Sequence, residues 1–229
     1  MQVEQATSWF GKAVELLGVR RGHRLLAIEP RLGEAVALRA AVGDTGELTL
    51  VLRARDRAEW LAERAWPQVR VLCHDVDGGE TFGSFDALLI APAAGPLLPP
   101  DGYAALARSN LRPGGRAVVD LPAPDMLPDL HKAWQQLGWD EERLRPFLGP
   151  DDVELADALR SAGMRSVQVA DGTHLLHHPS PIELVATFAD ELDLNDDELG
   201  ELARTIIHHR QDAGPIDALV HRTRVAAQR

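Results

Sequence analysis

Few of the ionisable residues stand where a backbone could gather them into a site. Asp120 ends the apolar run Arg116 to Asp120, and a carboxylate at the carboxyl end of a buried strand can act as general acid or base where ligands collect. The same residue could instead cap the chain ahead of Leu121 and Pro122. His174, His177 and His178 share one segment and His208 and His209 end another. Three imidazoles with a carboxylate can hold zinc, but this spacing matches no zinc motif. His208, His209 and Arg210 are explained by the negative end of a helix. The acidic run Asp193 to Glu198 lacks the turn glycine of a calcium loop and carries Arg204 where the bidentate glutamate is required, so it reads as a solvated helix start. No metal site is expected. Cys73 is the single cysteine; it cannot form an internal disulfide and, ending an apolar run, reads as core.

The elements that must position these residues alternate. A helix capped by Ser8, with Trp9, Ala13, Leu16 and Leu17 on one face, ends at Gly18, and the buried-strand run Arg24 to Ile28 follows. Glu34 to Val42 reads as a helix and Leu48 to Leu52 as a strand. Asp56 is placed to cap the next helix, with Trp60, Leu61 and Ala65 inward. Val69 to Cys73 and Phe85 to Ile90 are strands three and four. Helix Tyr103 to Asn110 leads through Arg112-Pro-Gly-Gly115 to strand five, Arg116 to Asp120. A helix around His131 to Leu137, another from Val153 to Ala162, and strand six, Ser166 to Ala170, continue the rhythm. Two helices, Ile182 to Leu192 and Asp196 to His209, interrupt it before a last strand, Asp217 to Ala226. Asn195 and Glu198 have capping-box spacing. The expected fold is a Rossmann-like α/β domain with a mostly parallel seven-stranded sheet, helices on both faces and the last strand antiparallel. It spans 1–229 as a single domain with a helical insert at about 171–214.

Composition narrows the function. At 229 residues, with 45% hydrophobic and 26% charged residues, one large globular domain is expected, and no apolar run is long enough to span a membrane. The N-terminus has neither the basic flank nor the apolar core of a signal peptide, so a cytoplasmic location is expected. A formal net charge of −11 argues against nucleic acid or an anionic membrane as partner. Nearly all positive charge is arginine, with Lys12 and Lys132 the two lysines, which suggests a GC-rich bacterial genome.

Leu25-Leu-Ala-Ile-Glu-Pro-Arg-Leu-Gly-Glu34, Val71-Leu-Cys-His-Asp-Val-Asp77, Ser84-Phe-Asp-Ala-Leu-Leu89 and Leu111-Arg-Pro-Gly-Gly-Arg116 stand in an order and spacing that resemble the class I S-adenosylmethionine-dependent methyltransferases, in particular the small ubiquinone-biosynthesis type. Ala162-Gly-Met-Arg-Ser-Val-Gln-Val169 is similar to their sixth strand and its approach. The resemblance implies a glycine-rich turn after strand one, where the backbone passes close to the methionine part of the cofactor. Gly33 matches the last of those glycines, Glu29 and Arg31 stand at the two earlier ones, and Ala27 stands at the acidic position within the strand. It also implies a ribose-holding carboxylate at the end of strand two, where this chain has Arg53-Ala-Arg55 before Asp56. Asp75 matches the position that contacts the adenine amino group; a loop aspartate there could equally cap a turn. The loop Ala91 to Pro100 has no ionisable or amide side chain, which leaves Asp120 as the weak catalytic candidate.

These readings give two functions. The first is a methyltransferase-fold protein with a degenerate S-adenosylmethionine site, a pseudoenzyme acting as a binding, regulatory or structural partner of another protein or of its own copies. The second is an active S-adenosylmethionine-dependent methyltransferase acting on a small-molecule acceptor, with Gly33 and Asp75 holding the cofactor. A dinucleotide-binding oxidoreductase fits less well, because it needs the same missing glycines.

Overall fold

The computed structural model describes residues 11–92, 97–123, 126–144, 149–189 and 192–229; Ser8 and Trp9 lie outside them. Apolar runs such as Leu25-Leu-Ala-Ile28 have no polar alternation, as expected of strands covered on both faces. They form the centre of a seven-stranded sheet, whose strands are β1 (Arg24–Ile28), β2 (Glu47–Leu52), β3 (Val69–Cys73), β4 (Phe85–Ile90), β5 (Leu111–Pro122), β6 (Arg165–His178) and β7 (Ile216–Gln228). Their spatial order is β3-β2-β1-β4-β5-β7-β6. β1 to β5 pair in parallel, and β7 runs antiparallel between β5 and β6.

Successive strand side chains point to opposite faces. Leu25 and Ala27 therefore pack with α1 (11–17), α2 (Leu32–Val42) and α3 (Arg55–Ala62), whereas Leu26 and Ile28 pack with α4 (Pro100–Asn110) and α6 (Asp152–Ser161). A third apolar cluster joins α5 (Pro128–Leu137), α7 (Pro181–Thr187) and α8 (Asp196–Arg210) to the far part of the β6–β7 hairpin, through Trp134, Leu184, Ile206, Ile216, Ala218 and Val220. Asn195 caps α8 in the expected reciprocal box with Glu198.

The Ser-Phe-Asp and Pro-Gly-Gly pieces tie the amino ends of the strands together. Asp86 accepts the Arg24 backbone N–H at 2.7 Å and pairs with Arg112. Gly114 takes φ +84°, and a side chain at Gly115 would meet the carbonyl oxygens of Arg112, Phe85 and Asp86 at 3.0–3.2 Å. Both glycines are thus fixed by geometry.

Several expectations shift. β5 begins at Leu111, which pairs with Phe85 of β4 ahead of a register shift at the turn, and β6 runs on to His178 by pairing with β7 from Gln168 onward. The helices between β6 and β7 accordingly occupy 181–210, and α7 ends at Thr187. Ala54 precedes α3, with Asp56 inside its first turn. Trp60 is 42% exposed, under the Arg64 guanidinium. Cys73 is exposed, since β3 is an edge strand.

Candidate functional site

After β3 the chain returns to lay β4 against the other side of β1. This switch point opens a crevice at the carboxyl ends of the strands. Ile28 is level with Val51 of β2 and Ile90 of β4, and Ile90 with Val119 of β5. Glu29, Leu52-Arg53, Ala91 and Asp120 therefore emerge side by side.

Glu29, at the position of the first family glycine, adopts the left-handed conformation, φ 53°. This costs a residue with a Cβ about 1–2 kcal/mol. Its side chain is 8% exposed. The carboxylate accepts the backbone N–H of Arg53 and meets Arg57 Nη1 at 3.1 Å, while Arg57 Nη2 donates to the Pro30 carbonyl at 2.8 Å. One carboxylate thus closes the turn after β1 onto the end of β2, at the place where the family's ribose-holding acid would stand.

Arg31 does not pair with Glu29. It precedes α2 in extended backbone, and its N–H donates to Glu34 Oε2 at 2.8 Å. Burial, then the neighbouring charge of Arg222, holds the Arg31 guanidinium below its ordinary pKa, with Glu34 and Asp120 opposing. Burial pushes the Glu34 carboxyl up, against Arg31. Gly33 sits in the first turn of α2, where an added Cβ would meet nothing within 4 Å. Ala27 is fully buried within β1.

Asp75 follows β3 as an exposed residue with no recorded polar partner among the described residues. It does not cap the turn. Asp77 accepts the Gly79 N–H, and Glu80 accepts those of Asp77 and Gly78.

Asp120, 5% exposed, is clamped. Arg222 Nε reaches its Oδ1 at 2.7 Å and Arg224 Nη2 its Oδ2 at 2.6 Å. Burial raises this carboxyl, but Arg222 and then Arg224, by charge and hydrogen bonding, hold it below the usual carboxylate value. The two arginines lie two residues apart on β7 and so share a face. Across from them on β6 stand only Gly172 and Ala170. Arg222 also donates to the carbonyls of Asp120 and Pro92. Asp120 is therefore neither a cap nor a free base. The sequence reading missed these arginines, although two arginines alternating inside an apolar strand are a sign of a buried acidic partner.

Tyr103 was missed as well. Its hydroxyl accepts the N–H groups of Leu97 and Leu98 at 2.8 and 3.3 Å, pinning the end of the loop after β4. Burial pushes its pKa up to about 12, and the charges of Arg53 and Arg222 act against this. Beside Arg222 lies a cavity of about 320 Å³, lined also by Asp151, Asp171, Thr173, His221 and Thr223.

Among the described residues the histidines do not converge. His177 pairs with Asp217 at 2.8 Å on the hairpin, and among the described residues no group of three His, Cys, Asp or Glu side chains is placed to hold a metal ion. Glu198 of the acidic run is engaged by Arg143 at 2.8 Å. No described helix is long and apolar enough to cross a membrane.

The strand order, the antiparallel seventh strand and the crevice at the β1/β4 switch point define a doubly wound α/β architecture. More narrowly, this is the fold of the class I S-adenosylmethionine-dependent methyltransferases. YcgJ from Bacillus subtilis superposes with a TM-score of 0.64 at 16% identity, over 96% of this chain and 97% of that one. Geranyl diphosphate C-methyltransferase from Streptomyces coelicolor, in complex with Mg2+, geranyl diphosphate and S-adenosylhomocysteine, gives 0.59 at 14%, over 98% and 79%. A SAM-dependent methyltransferase from Aquifex aeolicus gives 0.51 at 12%, over 96% and 88%. At these identities the likeness establishes the fold. No family profile and no curated protein matches the sequence.

Proposed function

We propose that this chain, as one domain over residues 1–229, is a methyltransferase-fold protein whose cofactor site has degenerated, and that it acts without catalysis as a binding, regulatory or structural partner. The observation that carries this reading is the closure at Glu29. The turn that must present bare main chain to the methionine part of S-adenosylmethionine instead carries a buried carboxylate, locked to the Arg53 N–H and Arg57. Arg31 adds a second bulky side chain one turn position on. The residues present do not fit the cofactor: a side chain fills its space, no carboxylate ends β2, and the crevice gathers guanidinium groups where a sulfonium cation would lie. Clamping of Asp120 removes the remaining general-base candidate, because a carboxylate held by two arginines is a weak proton acceptor.

Two observations favour the alternative of an active enzyme with a small-molecule acceptor. Gly33 and Asp75 are open to a ligand, and the cavity beside Arg222 could admit an acceptor. Proximity alone can drive methyl transfer without a base. Calorimetric titration with S-adenosylmethionine separates the two readings. The proposal expects no saturable heat at millimolar cofactor; a micromolar dissociation constant overturns it and makes Gly33 and Asp75 the first positions to mutate.

A further inference from the structure

The two edges of the sheet differ. The β3 edge is five residues long and carries Arg70. The β6 edge runs for fourteen residues, and a long bare edge is a template for another strand. A register shift between Arg165 and Gln168, with Ser166 at φ 50°, disturbs its beginning. From Gln168 to His178 the pairing with β7 is regular, and the sequence there has no lysine, arginine, glutamate or proline and one aspartate. That aspartate, Asp171, is turned toward β7, where its carboxylate accepts the Thr223 hydroxyl at 3.0 Å.

Strand register identifies the free backbone groups. The His221 carbonyl accepts from Ala123 and the Arg229 N–H donates to Gly115, so odd-numbered residues of β7 bond to β5 and even-numbered ones face β6. Gln168 is level with Ala226 and Leu176 with Ala218, so the even-numbered residues of β6 are committed to β7. The N–H and C=O groups of Val169, Asp171, Thr173, Leu175 and His177 therefore point off the edge, and among the described residues they meet no backbone partner. Side chains of these residues share one face. On it Val169 and Leu175 are each 39% exposed, and Leu219, level with Leu175 on β7, is exposed as well.

This stretch is its own complement. Reversed about Gly172, it sets Val169 against Leu175 and Asp171 against Thr173. Outward backbone groups then meet outward backbone groups, apolar side chains meet apolar ones, and no aspartate faces its own copy. One row of side chains runs unbroken across the join: Val119, Val225 and Val169 of one copy, then Leu175 and Leu219 of the other. Any extended peptide could answer the backbone groups, but a second copy also supplies this order of side chains.

We infer that two copies of this chain pair antiparallel through β6, about Gly172, and join their seven-stranded sheets into one. The inference is independent of the state of the cofactor crevice. Val169 with Leu175, Asp171 with Thr173, and the two symmetry-related pairs exchange on the order of eight backbone hydrogen bonds.

The test is sedimentation equilibrium of the intact chain at about 0.15 M salt, where repulsion between two chains of net charge −11 is largely screened. A mass of twice 25.0 kDa is expected as concentration rises. Thr173→Pro removes an outward donor and leaves the bonds to β7 intact, and Leu175→Lys sets an ammonium group against Val169 of the other copy. Each should raise the dissociation constant roughly tenfold or more, with the far-UV spectrum unchanged. Val36→Lys, at an exposed apolar residue of α2, should leave association as it is. In a Cys73→Ser background, Val169→Cys and Leu175→Cys together should oxidise to a covalent dimer, and either alone should not. A monomer at every concentration overturns the inference and gives the edge to a strand of a different protein. A dimer indifferent to both Thr173→Pro and Leu175→Lys overturns it too, and cross-linking by a single cysteine as efficient as by the pair overturns the register about Gly172.

Discussion

Asp120→Asn keeps the side-chain shape and removes the charge that Arg222 and Arg224 share. Its structural setting gives the magnitude. Both arginines are nearly inaccessible, 3% and 1% exposed, and reach the carboxylate at 2.7 and 2.6 Å. At an effective dielectric near 20, one such contact has a gross Coulomb energy of about 4 kcal/mol. Much of that offsets desolvation in the intact cluster, but removing the acid leaves both desolvated cations uncompensated, a change that costs about 3–5 kcal/mol. For a chain of this length each kcal/mol shifts Tm by about 2–4 °C, so a fall of roughly 6–20 °C is expected. Thermal unfolding followed by far-UV circular dichroism reads it directly, and high salt should change it little, because the cluster is buried. A triple variant, Asp120→Leu with Arg222→Met and Arg224→Leu, should recover most of the loss, since apolar replacement of a buried ion cluster is often neutral. The pH dependence carries a sign. The folded pKa of Asp120 lies below its unfolded value, so its contribution is present above about pH 4 and is lost as acid carries the solution down through the folded pKa. Asp120→Asn should flatten that acid limb. A loss below about 1 kcal/mol, or a triple variant as unstable as the single one, would refute the assignment of Asp120 as an ion-cluster centre.

Glu34, whose pKa burial raises, has the opposite sign: it favours the fold when protonated, and that advantage is lost as pH rises through the folded value. Glu34→Gln, which retains an acceptor for the Arg31 N–H, should therefore raise Tm at neutral pH and change it little below about pH 4; a neutral-pH loss contradicts this. At Glu29, alanine should cost about 1–3 kcal/mol through the orphaned Arg53 N–H. Glycine, free at φ 53°, should cost about 1 kcal/mol less than alanine in chemical unfolding; equal losses would place no strain there. Gly46→Ala puts a Cβ within 2.6–2.7 Å of the Val42 and His23 carbonyl oxygens, so a destabilisation of about 1–3 kcal/mol is expected in the same assay, and a neutral result would show that this turn yields.

The fold was more legible in the sequence than the site. Strands such as Val69–Cys73 and Phe85–Ile90 were bounded correctly because apolar runs end sharply at Gly, Pro and polar turns, whether the strand is buried as the second is or lies at the sheet edge as the first does. β6 was cut short at Ala170 because Asp171-Gly-Thr173 looks like a turn, whereas β7 supplies twelve paired positions across it. Cys73 and Trp60 were misread for one reason: apolar type says what a residue prefers, and only the strand order and helix rotation say which edge or face it receives. At the site, Glu29 and Arg31 were identified as occupants of the glycine turn, but the sequence named no partner for either. The partner of Glu29 is Arg57, 28 residues on. Such pairings depend on which strand ends become neighbours, a long-range property that spacing along the chain does not encode. The same holds for Asp120 and the arginines of β7, more than 100 residues away.

On the proposed function, side chains at Glu29 and Arg31 keep S-adenosylmethionine out of the crevice. Equilibrium dialysis of labelled cofactor against the wild type and against Glu29→Gly/Arg31→Gly puts this exclusion to the test. No retention by the wild type, with measurable retention by the glycine variant, is the predicted result. Micromolar retention by the wild type, undiminished beside the variant, would contradict it.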